Sequence, residues 1–349
     1  MVIDCWARMM DYDWAIDAGY VPETIIRFGT RRIQQAQEAA IAKRTLTEAM
    51  SQKLEYVAKL RSQPIAIQTT TANEQQYEIG TGVFEAFLGP RMKYSCSLFQ
   101  TGQETIAEAE TAMLQTYASR AEFKNGMSIL DLGCGWGSAT LFFAEQYPAS
   151  RVTGLSNSRT QKDKIVAEAA KRNLTNVEII TGDIAEYNFE PEQFDRVVSV
   201  ELFEHMKNYE LLMAKVATSL KPGGKLFVQI FCHNSTPYDF DEGWMSRYFF
   251  AGGTMPSADL LLYFQRDLQI QKQWWVNGSN YARTLQCWLS ALRNNKQQVW
   301  PHLVETYGES NASSWYNRWL AYHAAGSELF GFGGGDVSGT CHYLFGKPE

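Results

Sequence analysis

Two carboxylates and an imidazole stand close together in the run Glu201-Leu202-Phe203-Glu204-His205. At spacings of i, i+3 and i+4 they would share one face of a helical turn starting at Glu201. Carboxylates attract a cation, and an imidazole titrating near neutrality takes or relays a proton. Glu201, Glu204 and His205 therefore suit a site that captures a positive group and handles its hydrogen. The competing reading is a salt-bridged helix start, where glutamate is favoured by the amino-terminal dipole.

The trio follows an apolar run at 194–200, one of five short segments that read as buried strands: 129–132, 151–155, 177–181, 194–200 and 226–231. Helical stretches at 138–147, 158–171 and 209–220 alternate with them, and Lys221-Pro222-Gly223-Gly224 reads as a turn. Such alternation predicts an α/β fold with a parallel sheet covered by helices on both faces. Ligands in these sheets bind beyond the carboxyl ends of the strands, and polar residues fall there strand by strand. After the first strand comes Gly133-Cys134-Gly135-Trp136-Gly137, a turn that lets backbone N–H groups approach a ligand. The second ends in Ser156-Asn157, followed by Gln161. A dinucleotide oxidoreductase would place Asp or Glu there, whereas Asn157 and Gln161 both donate and accept. The third ends in Asp183-Ile184, a carboxylate for an adenine amino group beside an apolar flank for its ring. Two further strands, 269–276 and 341–345, would close the sheet in antiparallel fashion.

The flanks are different in character. Residues 1 to about 65 read as helical, with Leu46, Met50, Leu54 and Val57 spaced along one helix face. Arg27, Arg31, Arg32, Lys43 and Arg44 read as a solvated basic face, and 62–73 as a polar connection. The loop-like segments Gln75-Gln76-Tyr77-Glu78-Ile79-Gly80 and 92–99 gather aromatics, hydroxyls and a thiol, the currency of binding loops. Beyond 231 lie an aromatic insertion and a block with Trp288, Trp300, Trp315 and Trp319, which helical spacing assigns to core. Gly331 to Gly335 lacks the Lys-Ser/Thr pair of a phosphate loop and reads as a connection.

A net charge of −6 argues against an obligate nucleic-acid or anionic-membrane surface. No apolar run reaches membrane-spanning length, so stable membrane association is not expected. Residues 1–12 carry Asp4, Arg8 and Asp11 and do not read as a signal peptide. The 6 cysteines form no Cys-x-x-Cys pair and read as reduced thiols, which implies a cytoplasmic protein without a zinc site.

The turn from Asp131 to Gly137 resembles motif I of class I S-adenosylmethionine-dependent methyltransferases. Tyr94-Ser95-Cys96, Ser156-Asn157…Gln161 and Phe203-Glu204-His205 resemble the branch holding cyclopropane fatty acid synthases and coclaurine-type N-methyltransferases. The run Glu201 to Tyr209, with Gly253-Thr254-Met255-Pro256-Ser257 and Leu261-Leu262-Tyr263-Phe264-Gln265, is very similar to the N-methyltransferase signature. The resemblance covers nearly the whole chain. It implies a Rossmann-like methyltransferase with a mostly parallel seven-stranded sheet, a helical arm with a cofactor-covering loop at 1–100, and a catalytic domain at 101–349. Capping insertions are expected at about 233–265 and 284–330. By the resemblance, Tyr94, Ser95, Gly133, Gly135, Asn157, Gln161, Asp183 and Ile184 hold S-adenosylmethionine. The plant enzymes carry Asn-Asn-Gly-Glu-Glu-Trp before the last strand, where this chain has Gly333 to Gly339 at an expected edge of the cap.

The implied reaction is methylation of a small amine, benzylisoquinolines included. An alkylamine resembling lysine is protonated at pH 7, and making it neutral costs about 4.6 kcal/mol. Glu201 would anchor the ammonium, with Glu204 and His205 as the proton-handling pair. The alternative is methylene transfer to unsaturated lipid acyl chains. Cyclopropane enzymes bind bicarbonate as base, and the matching positions are Cys96, Glu204, His233 and Tyr281. Those enzymes usually have a small residue where Glu201 stands, and a second carboxylate suits an amine better than a neutral alkene. Nucleic-acid methylation is disfavoured by the charge balance and by the lack of an Asn-Pro-Pro-aromatic motif after the fourth strand. A non-catalytic binding module has no use for the Glu-Glu-His cluster. A homodimer stays open as an assembly.

Overall fold

A computed structural model describes residues 13–67, 80–240 and 243–348. Nine strands are present among them: β1 Ser128–Leu132, β2 Arg151–Ser156, β3 Val177–Thr181, β4 Phe194–Val200, β5 Leu220–His233, β6 Tyr238–Asp239, β7 Thr254–Met255, β8 Gln269–Val276 and β9 Ser338–Gly346. Seven form one sheet in the order β3-β2-β1-β4-β5-β9-β8, while β6 and β7 make a separate ribbon. The first five run parallel, and β9 lies antiparallel to both β5 and β8. This is the mostly parallel seven-stranded α/β sheet of a class I methyltransferase fold. The order reverses between β1 and β4, which opens a crevice at their carboxyl ends.

The sheet is apolar on both faces because helices cover both. Ile129, Val198 and Phe227 pack toward one side and Leu130, Val197 and Leu226 toward the other, all fully buried. Local sequence sets the helix starts. Thr105 caps Ile106–Arg120 in a reciprocal box with Glu108, and Ser158 accepts from the Gln161 N–H at the start of Arg159–Lys171. One boundary differs from expectation. The Lys221–Gly224 turn is absorbed into β5 as an irregularity, where pairing with β4 jumps from Phe194↔Leu220 to Arg196↔Lys225.

Over the crevice sits a helical cap. Helices Ser279–Asn294 and Glu309–Gly331 bury Trp288 and Trp319 at 1% exposure each, as the spacing of the tryptophans predicts, while Trp300 and Trp315 are partly buried. The amino-terminal helices join this cap in a way the sequence did not disclose. Arg27 bonds Glu23, Ser327 and Glu328, so it ties helix Glu23–Ile41 to the cap and is not a solvated side chain. On helix Leu46–Arg61, Val57 is buried, whereas Leu46, Met50 and Leu54 are exposed, so the four do not form one core-facing stripe. Asp239 gathers Lys59, Tyr56 and the buried Lys207 at 2.6–2.8 Å, locking the β6–β7 ribbon to that helix and to the turn after β4.

None of residues 333–339 is among those lining the two cavities described below. Gly335 has φ +84 and packs so tightly on Asn277 and Ser279 that a Cβ there would clash, which seals the junction between β8 and the cap. Expectations for residues 1–12, including Cys5, and for 68–79, including Gln75 to Ile79, lie outside the described residues. Among the described residues no helix is long and apolar enough to cross a membrane.

Candidate active site

Residue conformation at the end of β4 shapes the site. Glu201 has φ +52, the left-handed region that a non-glycine residue adopts only under constraint. Its N–H still bonds Gln229 O on β5 at 2.9 Å, so the chain leaves the sheet abruptly and enters a short 3-10 turn, Phe203–His205. No helical turn begins at Glu201, and the trio does not share one face. Glu201 and His205 line the crevice. The Glu204 side chain is fully buried behind them, where its Oε1 accepts the Phe231 N–H at 2.6 Å.

Two adjoining cavities meet at this turn. The first, about 720 Å³ including space open to solvent, lies beyond β1–β4 and is lined by Gly133, Gly135, Asn157, Gln161, Asp183 and Ile184. Ser156 Oγ donates to Gln161 Oε1 at 2.6 Å, which leaves the Gln161 amide NH₂ to donate. Gly135 has φ +51, and a Cβ built on it meets no atom within 4 Å. That face of the turn is an open cradle. Residues 65–67 cover the cleft from the amino-terminal side, where Lys207 N–H donates to Ile65 O and Ala66 bridges Met206.

The second cavity, about 940 Å³ by the same measure, shares Gly133, Gly135, Gln161, Glu201 and His205 with the first. Its wall includes Tyr94, Ser95, Phe231, Phe250, Tyr281 and Tyr322. The His205 ring lies 4.5 Å from that of Phe250, and Tyr281 stacks on Phe330 at 4.3 Å. Burial, then Lys207, pushes the His205 imidazole down to about 4, so it is neutral at pH 7.

Glu201 is the best-held group of the site. Its Oε1 accepts the Cys96 N–H at 3.0 Å and Gln229 Nε2–H at 2.9 Å, and its Oε2 accepts the Tyr281 hydroxyl at 2.7 Å. Burial raises its carboxyl above the ordinary value, and the Lys93 ammonium with these donors opposes that rise. Lys93 is itself buried, donating to Ser95 Oγ and Cys96 O at 2.5 and 2.6 Å. Glu204 has no such support beyond one N–H. Burial pushes it well above the carboxylate range, and the charge of Glu201 pushes further. Two neighbouring carboxyls are thereby set apart: Glu204 is held toward its protonated form, while Glu201 has the donors that favour a carboxylate.

The four residues matching a bicarbonate pocket do not converge on one space. The Cys96 N–H and the Tyr281 hydroxyl donate to Glu201, the Cys96 thiol to Ser97 O, Glu204 lies behind, and His233 bonds Glu38 at 2.9 Å while its Nδ1 accepts from Ser235 and Thr236. Sequence reasoning missed Lys93 and Gln229. The available signal was a polar residue inside an apolar strand, since Gln229 interrupts Leu226–Phe231 and is fully buried.

Residues 66–338 match the family model described as mycolic acid cyclopropane synthetase. The (S)-coclaurine N-methyltransferase of Thalictrum flavum subsp. glaucum is 38% identical over 341 residues, 95% of this chain and 94% of the relative. The chain belongs to this family. It is an S-adenosylmethionine-dependent methyltransferase of the N-methyltransferase branch. The crystal structure of a coclaurine N-methyltransferase bound to N-methylheliamine and SAH superposes with a TM-score of 0.92, at 34% identity, covering 97% of this chain and 99% of that one. The cyclopropane-fatty-acyl-phospholipid synthase of Escherichia coli (strain K12) is more distant from the enzyme, 30% identical over 238 residues and 68% of this chain. The donor set around the first cavity fits the family's cofactor: an open glycine turn, amides able to donate and accept, and a carboxylate beside Ile184.

Proposed function

We propose that the enzyme methylates the nitrogen of a benzylisoquinoline-type amine, in keeping with the relatives it matches. The observation that carries this is the Glu201 carboxylate, held by three donors at the junction of the two cavities and faced by an aromatic wall. An anion beside aromatic faces suits an ammonium group. S-adenosylmethionine supplies an activated methyl carbon for in-line displacement. Gly133 and Gly135 let that cofactor approach the backbone, Asn157 and Gln161 take its ribose hydroxyls, and Asp183 with Ile184 takes the adenine. Tyr94 and Ser95 close the site from the loop.

In this reading Glu201 anchors and orients the ammonium, lowering its desolvation cost. The His205 imidazole does not titrate near neutrality as the sequence suggested; pushed down to about 4, it accepts a hydrogen bond from the ammonium and relays the proton onward, without holding it, as the nitrogen lone pair is exposed. Glu204, protonated at rest and out of contact with the cavities, acts on the pair from behind. Cys96 N–H and Tyr281 O–H, at two of the positions matched to a bicarbonate pocket, are occupied by Glu201, which supports the amine over the alkene. We place the reaction in the cytoplasm, in keeping with the free thiols Cys96, Cys134, Cys232, Cys287 and Cys341.

The test is a mass-spectrometric acceptor screen with labelled S-adenosylmethionine, benzylisoquinolines, simpler amines and unsaturated phospholipid. Label on a benzylisoquinoline nitrogen, lost in Glu201→Gln, is the expected result. Label in acyl chains, with none on any amine, overturns the proposal.

A further inference from the structure

A line of buried polar groups runs sideways through the sheet to Glu201. It starts at Arg120, the last residue of helix Ile106–Arg120, whose half-buried guanidinium lies 4.9 Å over the Trp274 ring. Arg120 Nη1 is 2.7 Å from Nδ1 of His342 on β9. His342 Nε2 is 2.6 Å from Oε1 of Gln229 on β5, its register partner across the strands. Gln229 Nε2 is 2.9 Å from Glu201 Oε1. His342 and Gln229 are both fully buried.

The chemistry of the first member fixes the direction of every later bond. A guanidinium only donates, so Nδ1 of His342 must accept. The neutral imidazole then carries its hydrogen on Nε2 and donates to Gln229 Oε1. That turns the NH₂ end of Gln229 toward Glu201, where it donates. All links point one way and end on an acceptor. A protonated Oε1 facing Gln229 would set donor against donor.

We infer that Arg120, His342 and Gln229 are positioning residues that hold Glu201 as a carboxylate of fixed orientation for a cationic acceptor. The inference rests on the amine reading above and deepens it. Other ionisable groups also face Glu201: Lys93, Tyr94 and Cys96 from the loop, Tyr117 from helix Ile106–Arg120, Tyr281 and Tyr322 from the cap, and Glu204 from the turn. Lys93 contributes charge without contact, because its donors go to Ser95 and Cys96. Tyr281 and the Cys96 N–H complete the shell. The relay runs from Glu201 out to the half-exposed Arg120 guanidinium.

The experiment measures binding of N-methylheliamine, and of an uncharged carbon analogue of it, to the full-length enzyme saturated with S-adenosylhomocysteine. Calorimetry across pH reads affinity without turnover. Gln229→Met and His342→Phe remove the relay while keeping volume, the latter beside the Tyr117 and Phe227 rings that already pack on His342. The expected result is about tenfold weaker ammonium binding, unchanged binding of the uncharged analogue, and an acid limb moved upward by about one pH unit. Arg120→Lys, which keeps a donor toward Nδ1, retains more affinity than Arg120→Met. Arg120→Met at the half-exposed end carries the same test should the buried variants not fold. Wild-type affinity and pH profile in Gln229→Met and His342→Phe, with Glu201→Gln still impaired, overturn the relay alone. Equal loss for the ammonium and its uncharged analogue also overturns it. Wild-type binding in Glu201→Gln overturns the amine reading and the relay together.

Discussion

The Tyr281 hydroxyl donates to Glu201 Oε2 at 2.7 Å, joining the first helix of the cap to the end of β4. This polar contact links cap and sheet where the two cavities meet. Tyr281→Phe keeps the stacking on Phe330 and removes only the donor to a buried carboxylate. A bond to a charged group is worth about 1.5–3 kcal/mol, so kcat/KM for the amine should fall roughly 10- to 100-fold. Steady-state kinetics check this, with thermal unfolding as the control for folding. A loss under about twofold would show that the bond is not used.

The His205 imidazole faces both cavities and is neutral at pH 7. His205→Ala should lower kcat by about 10²- to 10⁴-fold, with cofactor affinity by calorimetry nearly unchanged. Glu204→Ala should lower kcat as well, through the loss of the group behind the pair. Unchanged turnover in both variants removes the cluster from the mechanism.

Glu204 also makes a stability prediction. Its folded carboxyl is held well above the ordinary value by burial and by Glu201. The stability it contributes is therefore fully present below the unfolded value and is lost as pH rises through the folded one. Glu204→Gln keeps an acceptor for the Phe231 N–H without that liability. Its Tm advantage over the parent should widen as pH rises from the ordinary carboxylate range into the alkaline range, read by differential scanning fluorimetry. A gap that is constant or narrows across this range contradicts a protonated Glu204.

His323 lies in the cap core with neither ring nitrogen hydrogen-bonded to a described residue, its ring 4.9 Å from Phe87 and 5.8 Å from Trp319. Burial pushes it down to about 3. A depressed histidine destabilises the fold as pH falls below about 6.5, because the unfolded chain binds the proton first. At pH 5 the cost is about 2 kcal/mol. His323→Phe should flatten the fall in Tm between pH 7 and pH 5, and an unaltered slope would assign the acid lability elsewhere.

The open glycine turn supplies a prediction for the cofactor. Gly135→Ala places a methyl in the space that faces both cavities and forces a non-glycine residue into the left-handed region. Binding of S-adenosylmethionine should weaken by about tenfold or more, since even about 1.4 kcal/mol of backbone strain and lost space suffices. Calorimetry with unaltered affinity would exclude this face from the cofactor site.

Much of the fold was legible in the chain alone, for a local reason. Short apolar runs, the helical stretches between them and the Gly133–Gly137 turn act over a few residues, so they mark the strands, the helices and the crevice without tertiary contacts. Asn157, Gln161, Asp183 and Ile184 were findable because they follow strand ends, and all four line the first cavity. Only the tertiary structure decided what Glu201, Glu204 and His205 do together. Spacing suggested a shared helical face, but the positive φ of Glu201 turns Glu204 toward the Phe231 backbone and leaves Glu201 with His205 at the cavities. The partners of Glu201 come from positions 96, 229 and 281, brought together by sheet pairing and cap packing. Such contacts leave no periodic trace, because the charge state of a buried carboxyl depends on donors that are near in space and distant along the chain.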